Sequence, residues 1–307
     1  MPPEFADVSV IMPAYRAAAT IGRALESVAH QTSKPREAIV VDDGSDDGTY
    51  EAAVAMSGNM LGVETKVYRQ DHQGAGGARN KAVMEASCRY VAFLDADDEW
   101  LPEKLERSLE HLEGTDNVLV AHNYYRREQD GTETIVDCAK RFSGGGDPYV
   151  SLYRRGYMPT CAVVALRAEV LDAGGFDTKL GVAQDFEMWL ALLKEPGTRF
   201  LVFEDALSRY HIQRNSITGR TGQRLDCCLR IAGQYAPELR SHPGSSLASL
   251  WFRIAAVHFE AISAYRSRGD LGKALGVMLK FPASLLMLTA GAMFGRKRPR
   301  EWFIPSR

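Results

Sequence analysis

The residues best suited to chemistry sit at the end of one apolar run, Tyr90-Val91-Ala92-Phe93-Leu94-Asp95-Ala96-Asp97-Asp98-Glu99-Trp100. Residues 91–94 read as a buried strand. Burying it delivers Asp95, Asp97 and Asp98 together at the carboxyl end, where open α/β sheets bind their ligands. Carboxylates that close repel one another unless a cation joins them. Oxygen ligands with no His or Cys beside them suit Mg²⁺ or Mn²⁺, and Mg²⁺ typically takes one or two protein carboxylates plus the phosphates of a substrate. The competing reading is a solvated acidic turn that caps the helix following Pro102. A second carboxylate, Asp185, opens a segment in which Phe186, Trp189, Leu190 and Leu193 recur at helical spacing and mark a helix packed on the core. Its plain role there is an N-cap or first-turn residue stabilising the helix dipole. Glu187 is expected on the surface.

These carboxylates need a scaffold, and the chain supplies one. Residues 8–12 form a β-branched run closed by Pro13-Ala14-Tyr15, and Ile21, Leu25 and Val28 follow at helical spacing behind Thr20. Residues 38–41 are a second apolar strand, closed by Asp42-Asp43-Gly44-Ser45, with a helix from Tyr50. Residues 63–69 predict a third strand, and Gln73 to Asn80 a loop leading into a helix that runs to about Ser87. Strands alternating with helices in this way imply a parallel sheet covered on both faces. Gly74 to Gly77 do not make a dinucleotide fingerprint: the sixth position of the pattern is Arg79, and the turn follows the third strand instead of the first. Beyond Pro102 a helix to about Leu112, a strand over 118–125, an exposed polar loop or hairpin over 126–146 and a strand over 160–166 are expected. A short helix over 168–173 and a Gly174-Gly175-Phe176-Asp177 turn come next. Residues 200–204 and 207–211 predict two closing strands.

Composition excludes several classes. The chain has 307 residues, 45% of them hydrophobic, and a formal charge of −2, so it can bury a sizeable core and has no general affinity for nucleic acid. Five cysteines, Cys88, Cys138, Cys161, Cys227 and Cys228, follow neither a zinc spacing nor an even disulfide framework, which fits a reducing compartment. Residues 1–20 hold no signal-type leader, and a cytosolic catalytic part is expected. From about Gly219 the pattern turns helical, with a hairpin of 247–266 and 271–279 turned at Gly269-Asp270. Residues 281–294 are apolar or small, and Lys280 and Pro282 leave that stretch short of a clean membrane span. Arg296-Lys297-Arg298-Pro299-Arg300 follows it. Peripheral membrane contact through 281–300 and a helix docked on the core with a solvated basic tail are both open.

Taken together, the segments resemble family 2 glycosyltransferases, inverting nucleotide-sugar enzymes with the A-type fold. The resemblance covers about residues 7–218 and rests on Val8 to Tyr15, Val41-Asp42-Asp43-Gly44-Ser45, Gly77-Ala78-Arg79-Asn80, Leu94 to Asp98, Gly175-Phe176-Asp177 and Gln184-Asp185, in the family's order. It implies an α/β fold with a mainly parallel, Rossmann-like central sheet flanked by helices and a helical C-terminal extension. Residues 1–115 would be the nucleotide-sugar half, 116–218 the acceptor and catalytic-base half of the same domain, and 219–307 the helical region. Pro13, Ala14, Tyr15, Asp42, Asp43, Arg79 and Asp95 would surround the nucleotide, with Asp43 on the base. Asp97, with Asp95, would hold Mn²⁺ or Mg²⁺, and Asp185 would be the general base. Gln184 stands where the family carries Glu. Where relatives have Tyr-Arg-x-His-x-x-Ser, this chain reads Tyr210-His211-Ile212-Gln213-Arg214-Asn215-Ser216, so His211, Arg214 and Ser216, with Gln184 and Trp189, are candidates for diphosphate or acceptor contacts. The implied activity is metal-dependent transfer of a sugar from a nucleoside diphosphate, UDP first among them, to a hydroxyl of a saccharide or lipid-linked acceptor. A non-catalytic nucleotide-sugar-binding protein and a nucleotidyltransferase are the alternatives. Donor sugar, linkage and oligomeric state are left open.

Overall fold

The computed structural model describes residues 5–155, 157–212 and 220–294. The first half alternates strand and helix as the periodicity predicts: β1 (Ala6–Ala14), α1 (Ile21–Ala29), β2 (Pro35–Asp42), α2 (Thr49–Ser57), β3 (Glu64–Arg69), α3 (Gly74–Glu85) and β4 (Tyr90–Phe93). These four strands pair in parallel in the order β3-β2-β1-β4. The chain therefore steps outward on one side of β1 and returns on the other, which opens a crevice at the carboxyl ends of β1 and β4. Pro13, Ala14 and Tyr15 end one strand at that crevice, and Asp95 follows the other.

Alternation along β1 shows both faces covered. Val8, Val10 and Met12 pack into one apolar cluster with Ile21, Leu25 and Val28 of α1, whereas Ile11 joins Ile39, Val41 and Phe93 in the other. Ser9 shares the second face, and its hydroxyl donates to the buried Glu37 carboxylate at 2.6 Å. That carboxylate also accepts from Lys66 Nζ at 2.7 Å and from the Ser87 backbone N–H at 2.7 Å, closing β2 against β3 and the end of α3.

The second half enters the sheet differently. β5 (Glu99–Trp100) and α4 (Lys104–Glu110) lead to β6 (Asn117–Arg127), which forms a hairpin with β7 (Glu133–Val136). After α5 (Pro148–Arg155), β8 (Val164–Leu166) inserts antiparallel between β4 and β6. Residues 160–162 are a 3-10 turn, so only the end of the expected 160–166 strand is extended. α6 (Arg167–Asp172) and α7 (Gln184–Leu193) precede β9 (Arg199–His211), which runs parallel to β6. β9 is one strand where two were expected. The polar Glu204-Asp205 interruption is a register irregularity opposite Asn123, whose side-chain amide donates to the Glu204 carbonyl at 2.9 Å.

α8 (Thr221–Tyr235), α9 (Ser246–Ser267) and α10 (Leu271–Phe294) complete the chain. Gly269, at φ +77°, turns α9 into α10. α10 continues through Pro282 for 24 residues, so the expected short hairpin helix and the apolar stretch after it are one element. Glu187 is fully buried, correcting its surface placement. The Tyr235 hydroxyl donates to its carboxylate at 2.6 Å, and this bond pins α8 on α7.

Candidate active site

The β2 end of the crevice is built around Asp43. Its backbone N–H donates to the Ala14 carbonyl at 2.8 Å, which seats it beside the end of β1. One carboxylate oxygen accepts from the Gln73 backbone N–H at 2.8 Å and Gln70 Nε2 at 2.7 Å. The other accepts from the Gly74 N–H at 2.8 Å and lies 2.8 Å from His72 Nδ1. Of the about four lone-pair positions of a carboxylate, three accept hydrogen bonds, and His72 Nδ1, which bonds the Asp43 carbonyl at 3.1 Å, lies against the fourth. Asp43 thus fastens the N-terminus of α3, where the helix dipole also favours it. Asp42 is fully buried, accepting from the Ser45 N–H and lying 3.3 Å from Arg69 Nε. Above this corner Tyr15, 44% exposed, lies against His72 with ring centroids 4.3 Å apart and planes tilted by 35°, and the Arg16 guanidinium sits over its ring at 5.4 Å. That pair brings aromatic surface to the crevice, as a planar base requires.

The β4 end is organised the opposite way. Asp95 accepts one bond, from Arg79 Nη2 at 2.5 Å, and Arg79 itself is 6% exposed and lies over the Phe176 ring at 5.4 Å. The Asp98 N–H closes a turn onto the Asp95 carbonyl at 3.0 Å, and Arg23 donates to the Asp97 carbonyl at 2.6 Å, not to its carboxylate. Burial, and then repulsion from Asp95, push the Asp97 carboxyl up to about 6. Asp98 is buried and accepts from the His211 backbone N–H at 3.0 Å, tying the end of β9 to the acidic turn. Burial and the neighbouring Asp97 and Asp95 carboxylates raise Asp98 well above the usual carboxylate range. Among the described residues no three His, Cys, Asp or Glu side chains converge as a ready-made metal cage. The donor set still suits a hard divalent ion: Asp97, with Asp95 beside it, supplies carboxylate oxygen and excess negative charge, and substrate phosphates would complete the shell.

α7 brings the third component. Ala183 holds φ +60°, a conformation rarely adopted by a residue with a side chain, immediately before Gln184 and Asp185. Gln184 donates to the Leu180 carbonyl, and its amide carbon lies 3.2 Å from where a side chain on Gly76 would begin. A glycine at 76 therefore lets the start of α7 rest on the start of α3. Asp185 accepts from the Phe186 N–H at 2.8 Å, and burial raises its pKa, although Arg79 and Arg224 both pull it down. Asp185, Arg79 and Asp95 thus share one electrostatic environment. The Gly175-Phe176 turn is locked to α3 by the Asn80 amide, which donates to the Phe176 carbonyl at 2.9 Å and accepts its N–H at 2.7 Å. A side chain at Gly175, φ +69°, would start 2.5 Å from Asn80.

Two expectations change. Trp189 does not reach the crevice: it is fully buried, edge-on to Phe93 and Phe176, and its indole N–H donates to the Met158 carbonyl at 3.0 Å. The helical spacing that placed it in the core was the better guide. His211 lends its backbone to Asp98, while its ring is half-buried 3.8 Å from Glu99, with burial lowering its pKa. Arg214 and Ser216 lie outside the described residues. Arg23 and Arg224 were not singled out from the sequence, because each reaches the site from an element distant in the chain.

Comparisons with known proteins bear on the family and the fold. The family described as glycosyl transferase family 2 matches residues 9–166. A UDP-Glc:alpha-D-GlcNAc-diphosphoundecaprenol beta-1,3-glucosyltransferase of Escherichia coli is 30% identical over 228 residues, covering 74% of this chain and 86% of its own. An amylovoran biosynthesis glycosyltransferase of Erwinia amylovora is 31% identical, covering 66% and 69%. Among solved structures, S. aureus TarS 1-349 in complex with UDP-GlcNAc superposes with a TM-score of 0.66 at 19% identity, covering 92% of this chain and 83% of that one. A mannosyltransferase from Pyrobaculum calidifontis in complex with GDP-Man and Mn²⁺ gives 0.59 at 19% identity, covering 95% and 88%. At those identities the structures speak to fold alone. The match over half the chain, and the relatives spanned over most of their length, show that this chain belongs to the family 2 glycosyltransferases.

Proposed function

We propose that this glycosyltransferase moves a sugar, with inversion, from a UDP-sugar to a hydroxyl of a lipid-linked saccharide, in the synthesis of a cell-envelope polysaccharide or related glycoconjugate. The observation that carries the reading is the convergence of Asp185 with the Arg79–Asp95 pair at the strand-order reversal, beside the unneutralised Asp97. The nucleotide base stacks on Tyr15 at the closed β2 corner. With three Asp43 acceptor positions bonded and the His72 ring against the fourth, a base N–H reaching that carboxylate displaces the His72 ring or the Gln70 amide. Arg79 lies beside the diphosphate, which places the anomeric carbon between the acidic turn and α7.

Asp97, with Asp95, would hold Mn²⁺ or Mg²⁺, which when bound supplies Lewis acidity to the departing diphosphate. Asp185 accepts the proton of the attacking hydroxyl as the glycosidic bond forms, a contribution of about 10²- to 10⁴-fold. A raised carboxyl pKa makes it a stronger base than a free aspartate. Attack from the α7 side, opposite the diphosphate, inverts the anomeric centre in a single displacement. Gln184 does not disturb this assignment, because its amide is committed to Leu180 and Gly76. The Escherichia coli relative's diphosphoundecaprenol-linked acceptor supports a lipid-linked substrate here, taken at the cytoplasmic face of the membrane.

Calorimetry of uridine, guanosine, cytidine and thymidine diphosphates, each with Mn²⁺, Mg²⁺ or chelator, tests the donor half without knowledge of the acceptor. Uridine diphosphate should bind with metal and lose affinity with chelator. Equal binding of all four bases would remove the UDP assignment, and release of pyrophosphate from a nucleotide donor would point to nucleotidyl transfer instead.

A further inference from the structure

α10 has two faces of opposite character. Along one, Ala274 and Val277 are buried, Phe281 meets the His258 ring at 5.2 Å, and Leu288 occupies the space a side chain on Gly233 would need. Along the other, Leu271, Leu275, Leu279, Leu286 and Met293 follow at intervals of four or seven residues, which puts them on one line of the helix. Their exposures run from 54% to 73%. α9 widens this line. Its Trp251 donates to Thr289 Oγ1 at 2.9 Å and its His258 meets Phe281 edge-on, so these two positions face α10. Phe252 and Phe259, one residue further on in each case, lie just beyond that seam and are 49% and 71% exposed. The result is an apolar strip the length of a 24-residue helix, about 36 Å, which is more than soluble monomers commonly show to water.

We infer that this two-helix face lies flat on an anionic lipid bilayer and carries the active site to a membrane-held acceptor. The charge pattern selects lipid over a second copy of the chain. α10 contains Lys273 and Lys280 and no acidic residue, and the chain after it reads Arg296-Lys297-Arg298-Pro299-Arg300. A second copy would bring the same cations and no counter-charge along this helix, whereas anionic headgroups supply one. Lys273 pairs with Asp270 at 2.7 Å, and both lysines lie well round the helix from the leucine line, so the basic run after α10 supplies the cations that would meet headgroups. Packing selects lying flat over spanning. Although both α9 and α10 are long and apolar enough to cross a membrane, α10 is bound along its length to α8 and α9, and Arg240 of the α8–α9 connection donates to the Ala292 carbonyl. A spanning α10 would abandon these contacts. The Glu187–Tyr235 bond and the Gly233–Leu288 contact link the face, through α8, to the helix that carries Asp185.

The inference rests on the proposed lipid-linked acceptor for its purpose, not for its physics. The test is flotation of the full chain with vesicles of phosphatidylcholine alone or of phosphatidylcholine with phosphatidylglycerol, with uridine diphosphate binding measured on the same samples. Binding to the anionic vesicles should exceed binding to the neutral ones by about tenfold or more and fall with salt. The triple variant Leu275→Ser, Leu279→Ser, Leu286→Ser should lose it while keeping Tm and nucleotide binding. Neutralising Arg296, Lys297, Arg298 and Arg300 to Gln should abolish the preference for anionic lipid. No flotation, equal flotation of the triple variant, or a solution dimer that the triple variant dissociates would overturn the assignment. Protein that stays with the vesicles through alkaline carbonate would overturn the flat orientation. Loss of nucleotide binding by the wild-type chain would count against the proposed donor site and leave the docking result standing.

Discussion

Two corners of one crevice hold carboxylates in opposite ways. At the end of β2, the Asp43 carboxylate accepts three hydrogen bonds from backbone and side-chain donors, with His72 Nδ1 beside it. At the end of β4 and the start of α7, Asp97 and Asp185 are short of donors, and burial raises both. A saturated carboxylate is already stabilised by the fold and holds elements together. A deprived one carries a cost that a cation, a substrate proton or a hydroxyl can relieve, which is why perturbed groups gather at reactive sites. Glu37 belongs with Asp43: burial alone would raise it, yet hydrogen bonds from Lys66, Ser9 and Ser87 hold it down to about 2.

The sharpest way to break the comparison is to swap the chemistry at each corner. Asp185→Asn should lower kcat by about 10²- to 10⁴-fold while leaving metal-dependent uridine diphosphate binding intact. The rate should fall as pH drops through a value above the ordinary aspartate value near 3.8, because the base must be ionised. Wild-type turnover in this variant would remove Asp185 from the mechanism. Asp97→Ala, in contrast, should lose the metal dependence of nucleotide binding, as seen by titration with and without chelator.

Asp43→Ala should act on stability first. It strands the Gln73 and Gly74 N–H groups, and urea unfolding should show a loss of about 3 kcal/mol. A variant as stable as the parent but unable to bind nucleotide would place Asp43 with the reactive carboxylates after all.

Acid unfolding probes the same divide. Because the Glu37 carboxyl is depressed in the folded state, its contribution is fully present above about pH 4.5 and is lost as pH falls toward 2. The shift amounts to about 3 kcal/mol. Glu37→Gln should flatten that part of the stability curve, and an unchanged slope would mean that the ion pair with Lys66 adds nothing.

The smallest effect is expected from Gly76→Ala. The new methyl would meet the Gln184 amide at 3.2 Å, while helix propensity gains up to about 1 kcal/mol. Tm should hold and transfer should drop several-fold as α7 shifts. Unchanged kcat with unchanged Tm would show that the contact between α3 and α7 does not position the base.

Much of this site was legible beforehand. The apolar runs of β1, β2 and β4 are bounded by Pro13, Asp42 and Asp95, and a strand buried on both faces announces itself by unbroken hydrophobicity. Asp95, Asp97 and Asp185 follow from spacing and resemblance. Glu187 did not follow, because its partner Tyr235 is 48 residues away on another helix. The Glu204-Asp205 break looked like a turn since nothing local reveals that Asn123 bridges the irregularity. Pro282, counted with Lys280 against a clean membrane span, does not end α10, which runs through it packed against α8 and α9.

The sequence by itself determined the strand and helix alternation, the carboxylates at strand ends and the basic, apolar C-terminus, because these depend on residue type and short-range period. Tertiary structure alone decided which carboxylates are satisfied and which are deprived. It also decided that two helices join their apolar residues into one face. Hydrogen-bond satisfaction and burial are set by neighbours brought together from across the chain, and no local pattern records them.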